Sequence, residues 1–129
     1  METDHAQVRG SASEHLAAVA FLVNGYRVYH LDNESGDSDQ IIEKDGVLLR
    51  CQVKTVYSRH RKDRKMPKKV VDMRVPAHKR KGEKLTCYAE PQVFAIVDLE
   101  EREVYLVLND RPWKQAHKST IERLGRRLL

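Results

Sequence analysis

Asp45-Gly46 separates two runs of alternating side chains, and no other pair so narrows what the chain can fold into. Asp-Gly favours the left-handed backbone of a tight two-residue hairpin turn, so the flanking segments should return on each other as antiparallel strands. After the turn, Leu49, Cys51 and Val53 alternate with Arg50, Gln52 and Lys54, which makes a strand with one apolar and one polar face. Before it, Asp39 to Glu43 forms the partner strand. The fold-back brings Asp39 into the neighbourhood of Gln52 and Lys54, which share a face. A carboxylate, an amide oxygen and an ammonium gathered at one end of a hairpin suit a hard cation and an activated water.

The rest of the chain reads as mixed α and β. Ser11 to Asn24 has helical spacing, with Leu16, Val19, Ala20 and Val23 at intervals of three and four and Gly25 as the C-terminal stop. Ser11 and Glu14 have the spacing of a capping box, which gives Glu14 a local structural role without excluding another. Tyr26 to Leu31 reads as a short strand, followed by a turn-rich acidic loop from Asp32 to Ser38. Val56 to Lys69 has almost no apolar residues and reads as a loop or hairpin tip, and Val70 to Val75 as a strand ending at Pro76. Gln92 to Asp98 and Glu103 to Leu108 form a second hairpin. Lys114 to Leu128 resumes a helical pattern through Ala116, Ile121, Leu124 and Leu128. These elements predict one α/β domain over residues 1–129, a mixed β-sheet flanked by helices, with a basic loop or hairpin at about 57–84.

Charge is unevenly spread. The net charge is +5, yet Arg59 to Lys84 holds twelve Lys or Arg against three acids, an excess of nine that leaves the remainder at −4. A basic stretch attached to an acidic remainder suits a protein that meets phosphates with one surface. Arg59, Arg61, Lys62, Arg64, Lys65, Lys68, Lys69, Lys79, Arg80 and Lys81 are the candidate nucleic-acid contacts; a solvated basic loop is the plainer alternative. Cys51 and Cys87 form neither a disulfide framework nor a zinc spacing, and His5, His15, His30, His60, His78 and His117 show no ligand spacing. No apolar run approaches the roughly 18 residues of a membrane span. The expectation is a soluble, cytoplasmic protein.

Glu14 on a helix, Asp39 on a strand and Gln52-Val53-Lys54-Thr55 closing the next strand resemble the PD-(D/E)XK nuclease superfamily. Within it they look most like the homing endonucleases associated with group I introns, whose final motif reads Gln-x-Lys. The resemblance covers Ser11 to Thr55 well and continues more loosely through Val93 to Val97 and Tyr105 to Val107. Ser38 stands where the superfamily nominally has proline. Asp37, two residues upstream of Asp39, competes for the aspartate role; the apolar Ile41 and Ile42 favour Asp39.

The resemblance implies a restriction-endonuclease-like fold and metal-dependent hydrolysis of DNA phosphodiesters. Glu14, Asp39, Gln52 and Lys54 would be the catalytic set, with Mg2+, or Mn2+ in its place, held by Asp39, Glu14, Gln52 and the Val53 carbonyl. A homo-oligomer, most simply a dimer, follows by analogy. A Holliday-junction resolvase shares the same core, and a non-catalytic nucleic-acid-binding module would use the basic segment alone. Read without the resemblance, Gln52 and Lys54 are the solvated face of a half-buried strand.

Overall fold

The computed structural model describes residues 5–30, 39–63, 65–75 and 91–129, and its first element is helix α1 (His5–Val23). The helix begins at His5 rather than Ser11, so the capping-box reading is corrected: Ser11 and Glu14 lie in its interior. The residues before Ser11 include good helix formers, and the one glycine among them, Gly10, costs only about 1 kcal/mol. The buried face also differs from the expected one. Ser13, Ala17, Ala20 and Phe21 are buried, whereas Val19 and Val23 are exposed. Gly25, at φ 86°, ends the helix as expected. Its N–H donates to Leu22 O at 3.1 Å and that of Tyr26 to Phe21 O at 3.0 Å, the paired bonds of a Schellman stop.

Strands β1 (Arg27–His30), β2 (Asp39–Lys44) and β3 (Val47–Thr55) follow. Asp45 and Gly46 both have positive φ, 52° and 81°, as a type I′ turn requires, and β2 and β3 pair antiparallel from Lys44–Val47 to Asp39–Gln52. Next come β4 (Tyr57–Arg59), β5 (Lys68–Asp72), β6 (Val93–Asp98) and β7 (Glu103–Leu108). The chain closes with β8 (Gln115–His117), α2 (Lys118–Leu124) and β9 (Arg126–Arg127).

The main sheet has six strands in the order β1-β2-β3-β6-β7-β9, and β4-β5-β8 form a second, smaller sheet. β3 and β6 run parallel while the other pairs are antiparallel, so the architecture is the mixed α/β one expected. α1 covers one face, where Ala17, Ala20 and Phe21 pack with Ile42, Cys51, Val53, Ala95 and Val97. The second sheet and α2 cover the other: Val71, Met73, Ala116 and Ile121 meet Phe94, Ile96, Tyr105 and Val107. Among the described residues, no helix is long and apolar enough to cross a membrane.

The expected helix over Lys114–Leu128 is corrected to one of seven residues between two short strands. Residues 115–117 pair with β5, and 126–127 with β7, so backbone bonding to distant strands overrides the helical spacing. Gly125 makes the exit from α2 possible. A Cβ there would lie 2.8 Å from Ile121 O and 2.9 Å from Val107 Cγ2. Gly125→Ala is therefore expected to destabilise the protein by about 2 kcal/mol, typical of overpacking, read as a lower urea midpoint with unchanged slope.

Candidate active site

The Asp39–Gln52 pair lies at the end of the β2–β3 ladder. Arg50 shows which way the backbone of β3 faces: its N–H donates to Gln92 Oε1 at 3.0 Å and its carbonyl accepts from Gln92 N at 2.9 Å, both on the β6 side. Val56 N likewise donates to Val97 O at 2.8 Å. Backbone groups alternate sides along a strand, so Cys51, Val53 and Thr55 turn their N–H and C=O towards β2. Two consequences follow. Asp39–Gln52 is a non-hydrogen-bonded pair, the kind whose Cα atoms come to about 4.5 Å. The Val53 carbonyl points to the same side of β3, one residue beyond that pair.

Side chains divide by face. Cys51 and Val53 enter the core under α1, with Val53 7% exposed. Gln52 lies on the opposite face, beside Phe94 in the register, and is 5% exposed. Its Oε1 is buried and accepts no hydrogen bond among the described residues. An amide oxygen left in that condition costs about 1–3 kcal/mol, and a cation or a cation-bound water would satisfy it. Lys54, further along the same face, donates from Nζ to Arg74 O at 2.7 Å.

Glu14 comes to this end of the hairpin on α1, from the other face of the sheet. Its backbone carbonyl accepts from Gln40 Nε2 at 3.0 Å, and Ser13 Oγ and Thr55 Oγ1 share a hydrogen bond at 2.6 Å. Gln40 follows Asp39 and Thr55 follows Lys54, so the two bonds fasten the 13–14 turn of α1 between the two motif strands. The helix-to-strand neighbourhood was legible in the motif; the Gln40 and Ser13 fastenings were not. Asp37 lies outside the described residues.

The basic segment separates into parts with different roles. β4 and β5 form a hairpin whose tip carries Arg61, Lys62 and Lys65, all exposed, with Lys68 exposed at the start of β5. Arg59 is half-buried and donates to Gln115 Oε1. Lys69 donates to Asp98 Oδ2 at 2.8 Å, so its charge has an internal partner. Arg64, Lys79, Arg80 and Lys81 lie outside the described residues.

Asp98 is the centre of a polar network that the charge count alone could not show. It is 2% exposed and accepts from Lys69, from Lys118 Nζ at 2.6 Å and from the N–H groups of Glu100 and Glu101. Burial alone would raise its carboxyl pKa, but hydrogen bonds from Lys118 and Lys69 outweigh it and hold the group below its ordinary value. Lys118 also meets Glu103 at 2.6 Å, and these two carboxylates raise its pKa despite burial. Among the described residues, no three His, Cys, Asp or Glu side chains converge as a metal site.

No protein-family model matches the sequence, and no curated protein matches it. Among solved structures, the fold resembles that of a bacterial homing endonuclease, I-Ssp6803I, with a TM-score of 0.63 and 19% identity. The match covers 91% of this chain and 75% of that one, and at this identity it establishes a shared fold.

Proposed function

We propose that the protein is a Mg2+-dependent DNA endonuclease of the PD-(D/E)XK type, closest in character to the homing endonucleases. The observation that carries the proposal is the Asp39–Gln52 pair, with a buried amide oxygen that has no partner among the described residues and Lys54 two residues on, in a fold shared with a homing endonuclease.

Asp39, Glu14, the Gln52 oxygen and the Val53 carbonyl would supply oxygen donors of the kind Mg2+ takes, with Mn2+ as a substitute and Glu14 contributing from the α1 side of the sheet. When bound, the metal supplies charge neutralisation at the phosphate and a more acidic water. Gln52 in place of a carboxylate leaves the set one negative charge short, which weakens metal binding until phosphate oxygens contribute. Lys54, two residues on from Gln52 along β3, would orient the attacking water and stabilise charge developing on the phosphate oxygens. Hydrolysis forms a bond from water oxygen to phosphorus and breaks the bond to the leaving deoxyribose oxygen, which takes up a proton as the water gives one up. Two copies of the chain would supply one site per strand of a duplex, most simply as a dimer; a 15 kDa species in sedimentation, with and without DNA, would remove that part.

Plasmid, linear duplex and four-way junction substrates test the reading directly. Duplex cleavage with Mg2+ or Mn2+ supports it, preference for the junction moves it to a resolvase, and no cutting of any substrate leaves a binding module at most.

The β4–β5 tip would grip the phosphate backbone. Cations that neutralise phosphates release condensed counterions, so log affinity falls with log salt by about 0.9 per phosphate neutralised. Neutralising Arg61, Lys62, Arg64 and Lys65 together is expected to flatten the slope and weaken all duplexes alike, with a filter-binding titration over 50 to 200 mM salt as roughly the useful range. An unchanged slope would remove this tip from the interface.

A further inference from the structure

Lys54 is held from the second sheet, at a place where the motif offers no clue. Its Nζ donates to the carbonyl of Arg74, in the segment just after β5. That carbonyl is fixed by its own neighbours. Asp72 Oδ1 accepts from the Arg74 N–H at 3.1 Å and from its Nε at 2.9 Å, while Oδ2 accepts from its guanidinium at 2.7 Å. The guanidinium and carboxylate thus close a three-bond clamp over a single turn of chain. Met73, between them, is fully buried, and its N–H donates to Lys114 O at 3.0 Å. A short segment bonded at three consecutive residues has little freedom to move the Arg74 oxygen.

We propose that Asp72 and Arg74 are positioning residues for Lys54: their clamp holds the carbonyl that aims the Lys54 ammonium at the phosphate. The proposal rests on the nuclease reading and adds to it a part of the second sheet that the motif does not include. Charge supports the geometry. Hydrogen bonding from Arg74 brings the Asp72 carboxyl down to about 2, and the nearby Lys54 charge acts in the same direction. Asp72 therefore stays ionised throughout the neutral range, and the clamp stays closed. The ammonium has three donors; the Arg74 oxygen takes one in a fixed direction, which restricts where the others can point. Misplacing a catalytic group by about 1 Å is enough to cost on the order of 100-fold in rate.

Asp72→Asn tests this with little change in shape. Cleavage of a linear duplex by the full chain with Mg2+ should slow by roughly 10- to 100-fold at saturating DNA, with the half-saturating concentration and the urea midpoint unchanged. With Lys54→Ala already in place, Asp72→Asn should remove nothing further, because the group it positions is gone. Arg74→Gln opens the same clamp from its exposed side and should also lower the maximal rate, which keeps the test valid if Asp72→Asn folds poorly. Wild-type maximal rates in both variants would overturn the proposal, as would an equal loss in the Lys54→Ala background. A wild-type chain that cuts nothing would overturn the nuclease reading itself, a result distinct from active wild type with unaffected variants.

Discussion

Lys54→Ala is expected to lower duplex cleavage by about 100-fold or more, the usual loss when one preorganised donor to developing charge is removed. Affinity for the duplex should stay within about threefold, since one phosphate contact of several is lost. The measurement is single-turnover cleavage of a labelled duplex beside an equilibrium binding titration without divalent metal. Asp39→Ala should give the same division for a different reason, removing the proposed metal donor that pairs with Gln52 in the register. Raising Mg2+ should then recover part of the activity of Asp39→Ala and none of that of Lys54→Ala. Equal cleavage by wild type and both variants would mean that the hairpin end is not the chemical centre.

Asp98→Ala is expected to destabilise the fold by about 3 kcal/mol, because removing one partner of a buried ion pair leaves the others desolvated without compensation. Lys118 is 12% exposed and keeps Glu103, and Lys69 is 27% exposed, so the loss should fall at the low end for such networks. The unfolding midpoint should drop by about 10 °C, given the size of the chain. The pH dependence has a definite sign. Hydrogen bonds from Lys118 and Lys69 hold the Asp98 carboxyl below its ordinary value in the folded state. Its contribution is therefore complete above the ordinary carboxylate range and is lost as pH falls through the lowered folded value. The stability gap between wild type and Asp98→Asn should narrow below about pH 4. A gap that persists unchanged into strong acid would show that the Asp98 charge contributes nothing.

The hairpin was legible because its signals are local: Asp45-Gly46 sets the turn, and alternation along β3 sets which residues share a face. β6 and β7 were legible for the same reason. What escaped depends on partners far away in sequence. β8 exists because residues 115–117 pair with β5, and nothing in their own spacing favours a strand. Val19 and Val23 have helical spacing with Leu16, yet the face bearing Ser13 and Ala17 is the one that meets the sheet, where Ser13 finds Thr55. Counting charges put Lys69 among the phosphate contacts but could not reveal Asp98 beside it. For Gln52 and Lys54, the motif named the residues, while the unpartnered amide oxygen and the Arg74 carbonyl required the folded chain.

The parallel pairing of β3 with β6 separates chemistry from support along the chain. Every candidate donor, from Glu14 to Lys54, precedes β4, as does β1 on the β2 side of the hairpin, whereas β6, which walls the β3 side, comes after it. During synthesis the hairpin can close as soon as it emerges, but its flank stays bare until β6 and β7 have been made and have crossed back to it. A product terminated after Thr55 would thus carry all the proposed ligands and much of the core under α1, but neither β6 nor any of the residues packed on the other face of the sheet. The β3 edge beside the proposed site is therefore the last side of the hairpin to be covered as the chain is made.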